Sequence, residues 1–459
     1  MKISVIGTGY VGLVTGVSLA MIGNQVVCIG RNISKINQIN KGNPPFSEPE
    51  LENLLKKVTR EGRLVASNQF EKEVGKSEIT IIAVGTPTVD EKIDLSQIKN
   101  VSTQIGRVLN RKKNYHVVVV KSTVVPGTTE GLVAATIEKI SGLKRGEFGL
   151  CMNPEFLREG CAVEDAMKPD RIVIGQLDKK SGKVVANIYK KFKCPKIFVN
   201  IKTAELIKYS ANALFATMIS YSNEIARIAE KVGGIDVVDV WRGVHLDNRL
   251  SPRVGSLPKK NGRYFPQFLS YIFSGCGYGG SCFPKDTKAI TNFARENKIE
   301  TPVLNGVVKI NTSQPLRLVH LLKKTVGEIK GKKITVLGLT FKPDTDDLRE
   351  SPAIPVIEEL IKNKAKVSVH DPLAYLKGPR KELENLKIHY HQKIEKAVFG
   401  AEAVIIVTAW SEYKKLTPSF FIKLMKDPVI IDGRRIFSVD KFLKKGIKFQ
   451  AIGYKNPLI

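Results

Sequence analysis

Lys2 to Ile6 is a short β-rich run, followed at once by Gly7-Thr8-Gly9-Tyr10-Val11-Gly12 and a helical pattern through Ala20. A strand, a glycine turn and a helix in that order admit few folds, and the Gly-x-Gly-x-x-Gly spacing selects the dinucleotide-binding βαβ unit. Gly7 makes the tight turn, Gly9 lets a pyrophosphate approach, and Gly12 lets the helix pack closely, with the helix N-terminus meeting the phosphate charge. Further strands are predicted at residues 25–29, 79–84, 116–120 and 148–152, separated by helical stretches as a parallel sheet demands.

In such a fold the second strand normally ends in an acid that binds the adenosine ribose diol. Here the chain reads Gly30-Arg31-Asn32-Ile33-Ser34-Lys35. Loss of the carboxylate beside an arginine suits a 2′-phosphate, since repulsion is gone and a guanidinium can bond phosphate oxygens. NADP is therefore one expectation. NAD, with its diol held by Asn32 or by the backbone, is the other. The cofactor contacts expected from the fold are Gly7, Gly9, Tyr10, Val11 and Gly12, with Arg31, Lys35, Thr86 and Thr123 at neighbouring strand ends.

At 459 residues the chain is too long for one core. With 73 basic and 44 acidic residues the formal charge is +29, yet the lysines are dispersed and no basic cluster is interleaved with aromatics. Solvated surface charge is the expectation, favourable to an anionic substrate, with no specific nucleic acid as partner. No apolar run is long enough for a membrane span, and a cytoplasmic protein is expected. Six cysteines without CxxC spacing argue against a zinc site or a disulfide framework, so no metal is expected.

The run from Gly275 to Asp286 (GCGYGGSCFPKD) carries the chemistry. Its glycines allow a backbone to pass close to something bulky, and Cys282 stands just ahead of a proline able to open a helix. A helix N-terminus and Lys285 would favour thiolate at Cys282, and Asp286 lies one turn on, placed to handle a proton. The plain alternative is a small buried hydrophobe in a glycine turn. Lys208 and Asn212 share one helix face and can jointly meet an oxyanion. The turn from Asn153 to Gly160 offers two carboxylates, Glu155 and Glu159. The helix over 202–231 should bury a stripe of Leu206, Leu214, Met218 and Ile225, and 251–274 reads as a loop over the cysteine.

The last part of the chain echoes the first. Lys333 to Gly338 resembles Lys2 to Gly7, but Gly338-Leu339-Thr340 lacks the second glycine, so this half should keep the topology and bind a nucleotide differently. Phe341, Lys342, Arg349 and Arg434 fall at its strand ends.

Taken together, GTGYVG, VGTPT, KSTVVPGT, NPEFLREG, KYSANA, GCGYGGSCFPKD, GLTFKPDTDDLRE, VHDP and DGRR resemble, in order, the motifs of the UDP-glucose/GDP-mannose dehydrogenase family. The resemblance implies an α/β protein of two Rossmann-like, doubly wound parallel-sheet domains joined by a long central helix. It divides the chain into an NAD(P)-binding domain at 1–200, a helical dimerisation region with the cysteine loop at 201–325, and a UDP-sugar-binding domain at 326–459. It also implies a homodimer that oxidises a sugar C6 alcohol to a carboxylate with two nicotinamides. Cys282 is the implied nucleophile, Lys208 and Asn212 the oxyanion donors, and Asp286, Glu155 and a water on Thr123 the proton carriers. Glu159, Lys285 and Arg349 are implied in cofactor contact. Glu155, Phe156, Leu157, Lys208, Asn212, Tyr271, Gly279, Phe341, Lys342 and Arg434 are implied around the UDP-sugar, with Arg249 reaching a neighbouring subunit. NPEFLREG and DGRR favour UDP-glucose; an N-acetylated hexose, a GDP-sugar or a silent nucleotide-sugar binder are the alternatives.

Overall fold

The computed structural model describes residues 1–89, 92–252, 264–375 and 381–454. The chain divides into two compact units, Met1–Ala211 with Lys288–Lys298, and Asn212–Thr287 with Ile299–Ile459.

The first unit is built on eight strands: β1 (Lys2–Ile6), β2 (Gln25–Ile29), β3 (Leu64–Ser67), β4 (Ile79–Ile82), β5 (Val117–Val120), β6 (Gly149–Met152), β7 (Ile172–Gln176) and β8 (Lys196–Val199). Their order in the sheet is β8-β7-β6-β5-β4-β1-β2-β3, with every pair parallel except β6 with β7. Runs such as Val117 to Val120 are buried throughout, as expected of a parallel sheet covered on both faces. Two apolar clusters, one around Val5, Leu13 and Ile81 and one around Ile82, Val118 and Ile137, form those two layers. Three strands are shorter than the sequence suggests, ending at Ile82 or starting at Val117 and Gly149. Ala83 still donates to the Ile6 carbonyl at 2.9 Å before the chain turns away.

The second unit carries a fully parallel sheet of β9 (Lys333–Leu337), β10 (Lys366–His370), β11 (Ile388–Tyr390), β12 (Ala403–Ile406), β13 (Val429–Asp432) and β14 (Lys448–Ala451). Its order, β11-β10-β9-β12-β13-β14, repeats the third-second-first-fourth-fifth-sixth order of the first unit. The internal echo is therefore real. Even the register agrees, Ile6 opposite Ile29 and Leu337 opposite His370. Asp371 thus holds in the second sheet the place that Gly30 holds in the first.

A 32-residue helix, Ile201–Val232, begins in the first unit and ends in the second. Its expected buried stripe holds only in part: Met218 and Ile225 are half-buried, with Ile225 packed against the core of the second unit. Leu206 and Leu214 are exposed, whereas Ala204, Lys208, Asn212, Ala216, Asn223 and Ala226 are buried. Small and polar side chains face inward because that face carries hydrogen-bonding groups, which periodicity of apolar residues alone misreads. Of the expected loop at 251–274, residues 253–263 lie outside those described, and Gln267–Tyr271 forms a 3-10 turn. No helix among the described residues is long and apolar enough to cross a membrane.

Candidate active site

In the first unit the glycine turn is shaped for a ligand. Gly7 has φ +122°, and a Cβ there would lie 2.3 Å from the Ala83 carbonyl; one at Gly12 would lie 2.0 Å from the Gly7 carbonyl. Both must be glycine for the strand and helix to meet. Over Gly9 nothing lies within 4 Å of a built Cβ, which leaves the open approach a pyrophosphate needs. Val11 lies in the first turn of the helix Tyr10–Met21. The Tyr10 hydroxyl donates to Glu48, a buried acid that also accepts the N–H groups of Gly160 and Ala162 at 2.7 and 2.6 Å. Burial and the Glu48 carboxylate push Tyr10 far up, so its hydroxyl stays protonated. The fingerprint is thereby tied to the turn bearing half-buried Glu159. Sequence reading missed Glu48; its only signal is an acid in a Pro-rich stretch. Thr86 donates to the Thr123 carbonyl at 2.8 Å, bringing those two strand ends together.

At the end of β2, a Cβ on Gly30 would lie 2.7 Å from both Oγ1 and Cγ2 of Thr8, so Thr8 fills the space of a side chain there. Asn32 Oδ1 accepts the Lys35 N–H at 3.0 Å and caps the next helix. Arg31 and Lys35 are exposed, and among the described residues neither cation has an acidic partner.

The same unit buries a carboxylate between cations. Glu155 accepts from Lys208 Nζ at 3.0 Å and from the Leu157 N–H at 2.6 Å, and Lys208 is only 3% exposed. Burial alone would raise Glu155, but Lys208, the Leu157 N–H and Lys121 outweigh it and hold the carboxyl below its usual range. Phe156 lies beneath Lys208, with its ring 5.5 Å from Nζ. Lys121, buried just beyond β5, is a second cation that sequence reading left without a role.

In the second unit the helix Phe283–Glu296 starts immediately after Cys282, whose carbonyl accepts the Asp286 N–H at 2.8 Å. The partly exposed thiol lies 3.6 Å from Ser281 Oγ. Asp286, 1% exposed, accepts from Asn212 Nδ2 at 2.6 Å and pairs with Lys285. The glycine loop is needed for the reason anticipated. A Cβ at Gly279 would meet the Glu350 carbonyl at 2.3 Å, and one at Gly280, φ +85°, would meet the Phe341 ring at 2.8 Å. Arg434 holds the Val407 and Gly277 carbonyls at 2.6 and 3.1 Å, anchoring the loop to the end of β12. Asn311, unnoticed in the sequence, brackets Tyr278 through both backbone groups. Tyr271 packs on Phe215 at 4.4 Å between centroids. Lys342 Nζ lies 5.6 Å from the Phe341 ring, and Arg349 forms a two-pronged pair with Asp347. Arg249 stands apart, 89% exposed and paired with Asp247.

The second sheet has spent the acid that a dinucleotide would want. Asp371 Oδ2 accepts from the N–H groups of Leu339 and Thr340 at 2.7 and 3.0 Å, from Thr340 Oγ1 at 3.1 Å and from Trp410 Nε1 at 3.2 Å. A turn closed onto its own carboxylate leaves no diol ligand, consistent with a different nucleotide mode in this half.

One Rossmann unit open to a pyrophosphate, a second closed to it, and a thiol at a helix head one turn before a buried acid together define a dinucleotide-dependent dehydrogenase. Residues 1–193, 202–313 and 335–439 match the NAD binding, central and UDP binding domains of the UDP-glucose/GDP-mannose dehydrogenase family. The chain belongs to that family and is a nucleotide-sugar dehydrogenase working with a nicotinamide cofactor. It is 40% identical over 456 residues to UDP-glucose 6-dehydrogenase YwqF of Bacillus subtilis, covering 99% of this chain and 98% of that one. It is 37% identical over 461 residues to UDP-glucose 6-dehydrogenase of Rhizobium meliloti, covering 99% of each. Among solved structures, a UDP-glucose dehydrogenase from Pyrobaculum islandicum superposes with a TM-score of 0.88 at 36% identity, covering 99% of this chain and 98% of that one.

Proposed function

We propose that this protein oxidises UDP-glucose at C6 to UDP-glucuronate. The alcohol, one water and two oxidised nicotinamides give the acid, two reduced nicotinamides and two protons. The observation that carries the reading is the Cys282 thiol at the head of a helix whose next turn holds buried Asp286 against the Asn212 amide. When bound, the nicotinamide accepts a hydride in each of the two oxidations. Between them Cys282 Sγ adds to the C6 aldehyde as a thiohemiacetal; loss of the second hydride leaves a thioester, and water breaks the C–S bond. Lys208 and Asn212 offset the oxyanion charge, Lys208 exchanging Glu155 for the reacting oxygen. Asp286 and a water held by Thr123 move protons in the oxidation, and Glu155 is the base for hydrolysis. The named activity of the relatives supports glucose as the sugar.

Reduced nicotinamide formed per UDP-glucose consumed tests this directly. Two per sugar are expected. One per sugar means release at the aldehyde and removes Cys282 from its role, and none redirects the search to an N-acetylhexosamine or GDP-mannose.

We infer further that the cofactor carries a 2′-phosphate. Thr8 occupying the space at Gly30, the Asn32 oxygen committed to its helix cap, and Arg31 and Lys35 without acidic partners among the described residues all support NADP over NAD.

The long helix supports a homodimer. Leu214, Tyr221 and Ile228 recur every seven residues at 58, 54 and 54% exposure, continued by Val232 at 66%. Such an apolar ridge on one face is best covered by a second copy, and Arg249 is the residue proposed to serve the neighbour. Leu214→Glu with Ile228→Glu should yield a monomer in light scattering with its fold intact; an unchanged dimer would move the interface elsewhere.

A further inference from the structure

We propose that Lys121 is a positioning residue for Glu155: its ammonium keeps that carboxylate ionised and in place while Lys208 is engaged by the reacting oxygen. The inference rests on the reading of Glu155 as the base in thioester hydrolysis.

Lys121 follows β5 directly and is buried. Its Nζ donates to Asn153 Oδ1 at 3.0 Å and reaches the Asn153 carbonyl at 3.4 Å. The Asn153 amide is fully committed, since Oδ1 also accepts the Tyr189 hydroxyl at 2.7 Å and Nδ2 donates to the Val173 carbonyl at 2.8 Å. Asn153 opens the turn that carries Glu155 two residues on, so this network fixes where the carboxylate sits.

A buried ammonium bonded to neutral oxygens is costly unless an anion stabilises it. The anion acting on Lys121 is Glu155, while Lys208 opposes it. One carboxylate therefore answers to two cations. With Lys208 at 3.0 Å the carboxylate has its direct ion pair, and Lys121 adds to it. The second cation becomes necessary once Lys208 turns to an oxyanion, because burial would then drive Glu155 toward its neutral form, useless as a base. Burial lowers Lys121 itself to about 8, which leaves it largely charged at neutral pH. The groups bearing on Glu155 are Lys208 from the long helix, Lys121 from the strand end and the Leu157 N–H from its own turn. Arg171 lies over the adjoining Phe156 ring at 3.9 Å, and burial keeps Tyr189 protonated.

The test replaces Lys121 by Met in the full chain and records kcat and KM for UDP-glucose across pH, with the pre-steady-state formation of reduced nicotinamide. The acidic limb of kcat is expected to move up by about 1 pH unit or more. KM should hold, and the burst should sharpen as hydrolysis slows against oxidation. Lys121→Arg should restore the limb. Should the Met variant fail to fold, Asn153→Asp gives Lys121 a competing anion and must move the limb the same way. A uniform loss of rate with an unmoved limb would make Lys121 purely structural and overturn the proposal. Glu155→Gln separates the two layers: continued thioester hydrolysis there removes Glu155 as base, whereas its loss beside an unmoved Lys121→Met limb overturns the proposal for Lys121 alone.

Discussion

Cys282→Ser is expected to lower acid formation by at least about 10³-fold while leaving both nucleotides bound, because a hydroxyl at that place is a far weaker nucleophile than a thiol. The surroundings should survive the change. Asp286 is held by Asn212 and Lys285, and the helix Phe283–Glu296 begins whether sulfur or oxygen precedes it. Product chromatography with UDP-glucose, beside calorimetric titration of UDP and of cofactor, separates chemistry from binding. Undiminished UDP-glucuronate formation would sink the covalent mechanism. Loss of binding along with turnover would instead mean that the thiol supports the loop.

Arg31→Ala is the second large effect. Charge-assisted bonds to a phosphate contribute about 1.5–3 kcal/mol, so NADPH affinity should fall about 10- to 150-fold while NADH affinity holds. Fluorescence titration of each reduced cofactor reads this without turnover. Gly30→Asp should push in the same direction by adding a repelling carboxylate, although Thr8 must first turn aside, as its Oγ1 and Cγ2 would lie 2.7 Å from the new Cβ. Equal loss of both cofactors in Arg31→Ala would place the guanidinium on a part they share and return the choice to NAD.

Much of the fold was legible because its signals are local. The strand at Lys2–Ile6, the glycine turn and the helix after it follow from neighbouring residues, and the repeat at Lys333–Leu337 announces the same unit by the same pattern. The missing acid at Gly30 was equally plain, since its place is counted from the strand end. The candidate site was legible in its cysteine ahead of a helix and in the i, i+4 pairs, where helix geometry fixes the face. It was not legible in its partners. Glu48, Asn311 and Lys121 act on residues 38, 33 and 32–34 positions away, on Tyr10, Tyr278 and the Asn153–Glu155 turn, and no local periodicity reports such contacts.

The sequence by itself determined two nucleotide folds, a glycine loop ahead of a cysteine at a helix head, and a first sheet stripped of its diol acid. Only the tertiary structure decided that Asp371 is consumed by its own turn, that the apolar ridge of the long helix faces outward, and that Glu155 pairs with one buried lysine and feels the charge of a second. The physical reason is that backbone geometry is set largely by adjacent residues, whereas burial and charge pairing depend on which distant strands and helices pack together. A lysine has the same letter at the surface and in the core; its environment decides whether it solubilises the protein or tunes a base.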